Sequence, residues 1–152
     1  MALDGPGALS TMAKPLGGDL LAGEMTALRS AGVDVLVSAL TSSEVSEVGL
    51  AEEGQLARAA GLRFVSVPIP DMGLPDQSVV LPTLRELAAD LCGGAHIVTH
   101  CWAGIGRSSL LAASLLVLNG MAPDDAWQRI SAARGRTVPE TTAQRDWIFG
   151  LS

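Results

Sequence analysis

An α/β domain with a central, mostly parallel sheet flanked by helices is the architecture this sequence predicts, and three features carry it. Short apolar runs rich in β-branched residues alternate with segments whose apolar positions recur at helical spacing, which is the strand–helix alternation of a parallel sheet. Residues 33–40 are almost continuously apolar, as a strand covered on both faces must be. The chain has 152 residues, of which 48% are apolar, enough for one core. Residues 1–152 are therefore expected to form a single domain.

Taken in order, residues 1–7 are rich in Gly and Pro and are expected to be loose, and 9–13 reads as a short edge strand. From 19 to 31, Leu20, Leu21, Met25 and Leu28 fall at helical spacing behind Asp19 as N-cap, and Gly32 ends the segment. The buried central strand follows. Ser42 or Ser43 caps a short turn that runs to Val48, and 52–60 reads as a helix closed by Gly61. Alternation at 62–67 marks the next strand. Pro68, Pro70 and Pro75, with Asp71, Gly73 and Asp76 among them, cannot continue that strand and form an ordered loop. A helical pattern at 78–91 ends at Gly93-Gly94, and the apolar run 95–99 is a short buried strand. Residues 110–118 read as a helix. Pro123, with Asp124 and Asp125, starts another, containing Trp127 and Ile130 and stopping near Gly135. Pro139 and Glu140 open a last helix that carries Trp147, Ile148 and Phe149 into the core.

Composition narrows the partners. A net charge of −6 and a pI near 4.7 supply no electrostatic basis for binding nucleic acid or an anionic membrane, so neither is expected. The opening Met1-Ala2-Leu3-Asp4 lacks the regions of a secretory signal, and no apolar run approaches a membrane-spanning length. The two cysteines, Cys92 and Cys101, do not make a disulfide framework, so a reducing, cytoplasmic setting is expected. His96, His100 and Cys101 are crowded along one strand end, a poor geometry for tetrahedral zinc, and no metal or other cofactor is expected. Nothing in the sequence bears on the oligomeric state.

The chemistry concentrates in His100-Cys101-Trp102-Ala103-Gly104-Ile105-Gly106-Arg107-Ser108-Ser109, between the strand at 95–99 and the helix at 110–118. The first amides of a helix have no carbonyl partners and carry the positive end of its dipole, so this turn is an anion site. With Gly104 and Gly106 relaxing the backbone, the amides from Trp102 through Ala103, Gly104, Ile105 and Gly106 to Arg107 are expected to curl around one phosphate-sized oxyanion. Arg107 closes the nest with a planar fork of donors. The same positive field favours thiolate at Cys101, which makes it a nucleophile. In a parallel sheet, ligands lie beyond the carboxyl ends of the strands, and the loops after Val67 and Thr99 both start there. Asp71 and Cys101 are thus expected to converge.

The string His-Cys, two glycines, Arg and Ser resembles the active-site signature of the cysteine-dependent protein tyrosine phosphatases, His-Cys-x-x-Gly-x-x-Arg-Ser/Thr, at every defined position. The loop Pro68-Ile69-Pro70-Asp71-Met72-Gly73-Leu74-Pro75-Asp76 looks most like that of the small dual-specificity enzymes, above all the kinase-associated phosphatase group and its bacterial relatives. The resemblance implies the phosphatase (phosphotyrosine protein phosphatase II-like) fold and a metal-independent phosphomonoester hydrolase that acts through a phosphocysteine on Cys101. It implies that Asp71 is the general acid, with Asp76 in reserve, and that the same carboxylate later accepts a proton from water. Ser108 would steady the sulfur, and His100 would support the loop or serve simply as a core histidine. Cys92 is read either as a small core residue or as a partner for oxidised Cys101.

The sequence departs from the family at Glu140-Thr141-Thr142-Ala143-Gln144, where the family often has Gln-Thr-x-x-Gln. No water-positioning residue is assigned, and Glu140 is read as a first-turn acid of the last helix. With no tyrosine in the chain to build an aromatic slot, the implied substrate is a phosphorylated protein or peptide carrying phosphotyrosine, phosphoserine or phosphothreonine. Rival readings are a phosphoprotein-binding module without turnover, a phosphatase for a non-protein phosphate ester, and arsenate reduction or sulfur transfer.

Overall fold

Four strands, β1 (Ala8–Met12), β2 (Val35–Ser38), β3 (Arg63–Ser66) and β4 (His96–His100), pair in the order β1-β4-β2-β3, every pair parallel, in the computed structural model. It describes residues 5–151. Among the described residues four helices fill the connections, α1 (Leu21–Ser30), α2 (Ser42–Glu47), α3 (Glu53–Ala59) and α4 (Gln77–Cys92), and three follow the last strand, α5 (Arg107–Leu118), α6 (Pro123–Arg134) and α7 (Thr142–Trp147). Short 3-10 turns at Gly18–Leu20 and Ile148–Gly150 lead into α1 and out of α7. The single α/β domain and parallel sheet expected from the pattern are present.

Period-two alternation gives the sheet two apolar faces. Leu36 and Val98, side by side across β2 and β4, bury with Leu21 and Met25 of α1 and Ala57 of α3. Leu9, Val35, Val37 and Ile97 point the other way, onto Leu84 and Leu87 of α4, Leu111 and Leu115 of α5 and Trp127 and Ile130 of α6. Helix α5 is buried along nearly its whole length, from Arg107 to Leu116. An element so enclosed holds its N-terminus in a fixed place. Because all strands run the same way, Met12, Ser38, Ser66 and His100 end on one rim of the sheet, and the chemistry-bearing loops leave from there.

Several boundaries differ from the sequence expectation, each for a local reason. Asp19 does not cap α1: it lies inside the 3-10 turn that Gly18, at φ +61°, allows, and the cap position falls on Leu20, which is exposed. The cap of α2 is Thr41 rather than Ser42 or Ser43, because Thr41 and Glu44 satisfy each other's backbone amides in a capping box. Glu140 precedes the cap of α7, which is Thr141, so it is not a first-turn acid. Beyond Trp147 the chain tightens into 3-10 geometry, which turns Ile148 inward and leaves Phe149 exposed. Of the segment expected to be loose, residues 1–4 lie outside the described residues. Gly7 is buried and fixed: a Cβ there would stand 2.1 Å from the Leu91 carbonyl oxygen.

Candidate active site

β4 delivers Cys101 to the rim and α5 begins at Arg107, so the loop between them spans the gap from strand end to helix start. Its carbonyls are taken from outside: Trp102 O accepts from Lys14 N at 3.1 Å, and Gly104 O and Ala103 O accept from the Arg134 guanidinium at 2.8 and 3.1 Å. In a trans peptide the N–H points opposite to the C=O. The amides of Ala103, Gly104 and Ile105 therefore face away from β1 and α6, toward the open side of the loop. Among the described residues the amides from Trp102 to Arg107 have no hydrogen-bond acceptor. Such donors await an anion.

Two glycines make the bend feasible. Gly104 has φ +75°, and a Cβ on it would lie 2.7 Å from the backbone of Met12 and Ala13. Gly106 is covered from the other side, where an added Cβ would meet Glu140 Oε1 at 2.5 Å and Gln144 Oε1 at 3.0 Å.

Arg107 is 2% exposed and committed on one side only. Its Nη1 donates to Glu44 Oε1 at 2.6 Å and to Ile69 O at 2.8 Å, and its Nη2 donates to Glu44 Oε2 at 2.9 Å. A guanidinium has five N–H donors. Three are thus engaged, which leaves Nε–H and one Nη2–H, the pair that forms a side-on fork, without a hydrogen-bond partner among the described residues. That edge matches two oxygens of a phosphate. Asp71 Oδ1 stands 3.5 Å from Nη2 with its side chain 72% exposed. The Arg107 hydrogen bonds hold the Glu44 carboxyl at about 2, well below its ordinary 4.5, against the opposing pull of burial. Glu44 is thus an anion paired to Arg107 throughout the physiological range.

Cys101 is 2% exposed, its Sγ 3.3 Å from Ser108 Oγ, and Ser108 is in turn buried in the first turn of α5. Behind them His100 is fully buried. Its Nδ1 lies 3.2 Å from the Cys101 carbonyl oxygen and its Nε2 2.5 Å from Glu53 Oε2, so the ring is held at both nitrogens. Around Cys101 opens a cleft of about 560 Å³, lined by residues that include Glu44, Asp71, Trp102, Arg107 and Glu140. Trp102, 38% exposed, forms part of its rim, with Lys14 Nζ over its ring at 5.6 Å.

The structure thus brings Cys101, Trp102, Ala103, Arg107 and Asp71 to one cleft, with Gly104, Ile105 and Gly106 in its loop and Ser108 and His100 beneath. It does not bring Asp76: that side chain caps α4, accepting from the Ser78 hydroxyl at 2.7 Å and the Ser78 amide at 3.0 Å, and those bonds, the hydroxyl first, lower its carboxyl. Nor does it bring Cys92, which is exposed rather than core. Four supporting residues have no role assigned from the sequence: Glu44, Glu53, Arg134 and Gln144, the last quoted there only as the end of the string that matches the family's Gln-Thr-x-x-Gln. Glu44 carries a local signal, as the fourth residue of the capping-box string Thr41-Ser42-Ser43-Glu44, and Gln144 a motif match. Glu53, Arg134 and Gln144 act across distances of 30 to 71 residues, as in the bond from Gln144 Nε2 to Gly73 O at 3.3 Å.

A family model described as "Polymorphic toxin system, DSP-PTPase phosphatase" matches residues 10–121, from β1 through the end of α5. The chain belongs to this family. Among curated proteins, the DSP-PTPase chain is 29% identical over 123 residues to cyclin-dependent kinase inhibitor 3 of Rattus norvegicus, covering 80% of this chain and 58% of that protein. It is 36% identical over 76 residues to protein tyrosine phosphatase type IVA 3 of Homo sapiens, covering 49% and 44%. It therefore spans about 58% of the length of the first of these relatives. Among solved structures, kinase associated phosphatase with its catalytic site cysteine changed to serine superposes with a TM-score of 0.81 at 25% identity, over 92% of this chain and 83% of that one. The active form of Tk-PTP superposes at 0.77 and 21% identity, over 95% and 91%, and at that identity shares the fold.

Proposed function

We propose that this DSP-PTPase chain hydrolyses phosphate monoesters of proteins or peptides through a phosphocysteine on Cys101. One observation carries the reading: Cys101, the buried Arg107 with its uncommitted Nε edge, and Asp71 line one cleft beside a loop whose amides have no acceptor among the described residues. A phosphoryl group seated there has its charge met by donors that are already in place, which is where most phosphoryl-transfer catalysis arises.

In the first half-reaction the Cys101 thiolate attacks phosphorus, forming the S–P bond as the ester P–O bond breaks. Asp71, as the acid, gives its proton to the departing oxygen. In the second, water attacks phosphorus and passes a proton to the Asp71 carboxylate, while the S–P bond breaks. The Ser108 hydroxyl donates to the sulfur as it leaves with the electron pair. Among the described residues Trp102 is the one aromatic side chain lining the cleft, and an open cleft of this kind supports serine and threonine esters as well as tyrosine. A thiolate nucleophile also supports a reducing setting such as cytoplasm. Among the described residues no helix is long and apolar enough to cross a membrane.

The test is hydrolysis of a chromogenic aryl phosphate in the presence of chelator, by the parent protein and by Cys101→Ser, Arg107→Ala and Asp71→Asn. Turnover is expected without added metal, abolished in Cys101→Ser and Arg107→Ala and slowed about a hundredfold in Asp71→Asn. Undiminished turnover in Cys101→Ser would refute the phosphocysteine route; undiminished turnover in Asp71→Asn would remove that residue as the acid.

A further inference from the structure

The charge around the anion site is of the wrong sign for a polyanionic substrate. Four carboxylates line the cleft: Glu44, Glu47, Asp71 and Glu140. Glu44 is neutralised by Arg107. Glu47 has no ion-pair partner among the described residues, nor has Glu140, while Asp71 stands 3.5 Å from the same Arg107 that already carries Glu44. On the cationic side the cleft has Arg107 itself and, over the outer face of Trp102, Lys14. The Arg134 guanidinium is turned to the back of the loop, where it is spent on the Ala103 and Gly104 carbonyls. One buried guanidinium edge and a set of amides thus form a small anion-binding floor, ringed by excess negative charge.

We infer that this cleft selects phosphate esters carried on a cationic segment, such as a phosphorylated residue with lysine or arginine beside it, and discriminates against esters bearing further anionic groups. The inference rests on the phosphatase reading above and adds a substrate class to it. The floor accepts a dianion because its donors are desolvated and preorganised. Whatever flanks that dianion meets the Glu47 and Glu140 carboxylates on the lining of the same cleft, within about one Debye length, ~8–10 Å in physiological salt, a range over which opposite charge is attracted and like charge repelled. A net charge of −6 over the whole molecule extends the same field outward. An inositol phosphate lipid or a nucleotide would bring its remaining phosphates against this wall.

The test compares two phosphopeptides with the same central phosphoresidue, one flanked by lysines and one by aspartates, together with a chromogenic aryl phosphate and a soluble phosphoinositide. The lysine-flanked peptide is expected to show the higher kcat/KM by about tenfold at low ionic strength, with the ratio falling toward one in about 0.5 M salt. In Glu47→Lys,Glu140→Lys the peptide ratio is expected to shrink several-fold or invert. Should the aryl phosphate turn over while the two peptides are equal, or the phosphoinositide be preferred, or the double variant keep the parental ratio, the inference is overturned and the phosphatase reading stands. If neither the aryl phosphate nor any other ester turns over, the phosphatase reading falls and the inference with it.

Discussion

Glu44 is the residue whose titration the fold alters most plainly, and the sign of its effect follows. Its carboxyl sits at about 2 in the folded protein against an ordinary 4.5, chiefly because Arg107 hydrogen-bonds the ionised form. A depressed carboxyl stabilises the fold fully above about pH 4.5, and that contribution shrinks below it and is lost as the pH falls through about 2. The shift corresponds to about 3 kcal/mol, with little discount for screening because the Glu44 side chain is only 14% exposed. Denaturant melts of Glu44→Gln are therefore expected to show a loss of about 2–3 kcal/mol at pH 7 that narrows to about 1 kcal/mol or less at pH 2.5; an equal loss at both would contradict this pairing. Gly104 sets a second limit. With φ +75° and backbone atoms 2.7 Å from any added Cβ, Gly104→Ala is expected to cost at least 2 kcal/mol and to abolish phosphate binding, measured by calorimetry.

At the level of elements, what matters is how each one is pinned where it meets the cleft. The short helix α2 hangs on one capping box: Glu44 N donates to Thr41 Oγ1 at 3.4 Å, and Thr41 N to Glu44 Oε1 at 3.0 Å. The same Glu44 oxygen accepts from Arg107, so the cap of α2 and the anion floor share an atom. Thr41→Ala is thus expected to destabilise by about 1 kcal/mol and to accelerate hydrogen exchange in α2 ahead of the rest of the protein. Uniform exchange across the molecule would show that α2 is held by other means. The proline loop is pinned from the far end of the chain, where Gln144 takes the Glu140 amide on one side of its carboxamide and gives to Gly73 O on the other. Asp76 closes the same loop by starting α4, its side chain accepting from the Ser78 amide.

Across the whole molecule, the parallel sheet separates two ends with different fates. Cys101 lies at the carboxyl end of β4 and Cys92 before its amino end, beyond the Gly93-Gly94 turn. Five strand residues at about 3.3 Å each place the two far beyond the ~7 Å that a disulfide tolerates between Cα atoms. Peroxide is therefore expected to inactivate Cys92→Ser at the parental rate, and mass spectrometry of the oxidised, non-reduced protein to show no link between the two cysteines. A recovered Cys92–Cys101 peptide pair would require the sheet to open.

Read without coordinates, the chain already disclosed its layered architecture, because period-two and period-3.6 burial are local properties of a sequence. It likewise disclosed the cysteine loop, whose residues are contiguous and whose glycines answer a local backbone demand at Gly104. Folding alone decided which carboxylate clamps Arg107, which glutamate sits behind His100, which arginine takes up the loop carbonyls, and which of two aspartates on one loop lines the cleft with Cys101. Those are pairings between residues tens of positions apart. Their partners are chosen by where strands end on the sheet and by which charges cannot be buried alone, and neither is written in any local stretch of the chain.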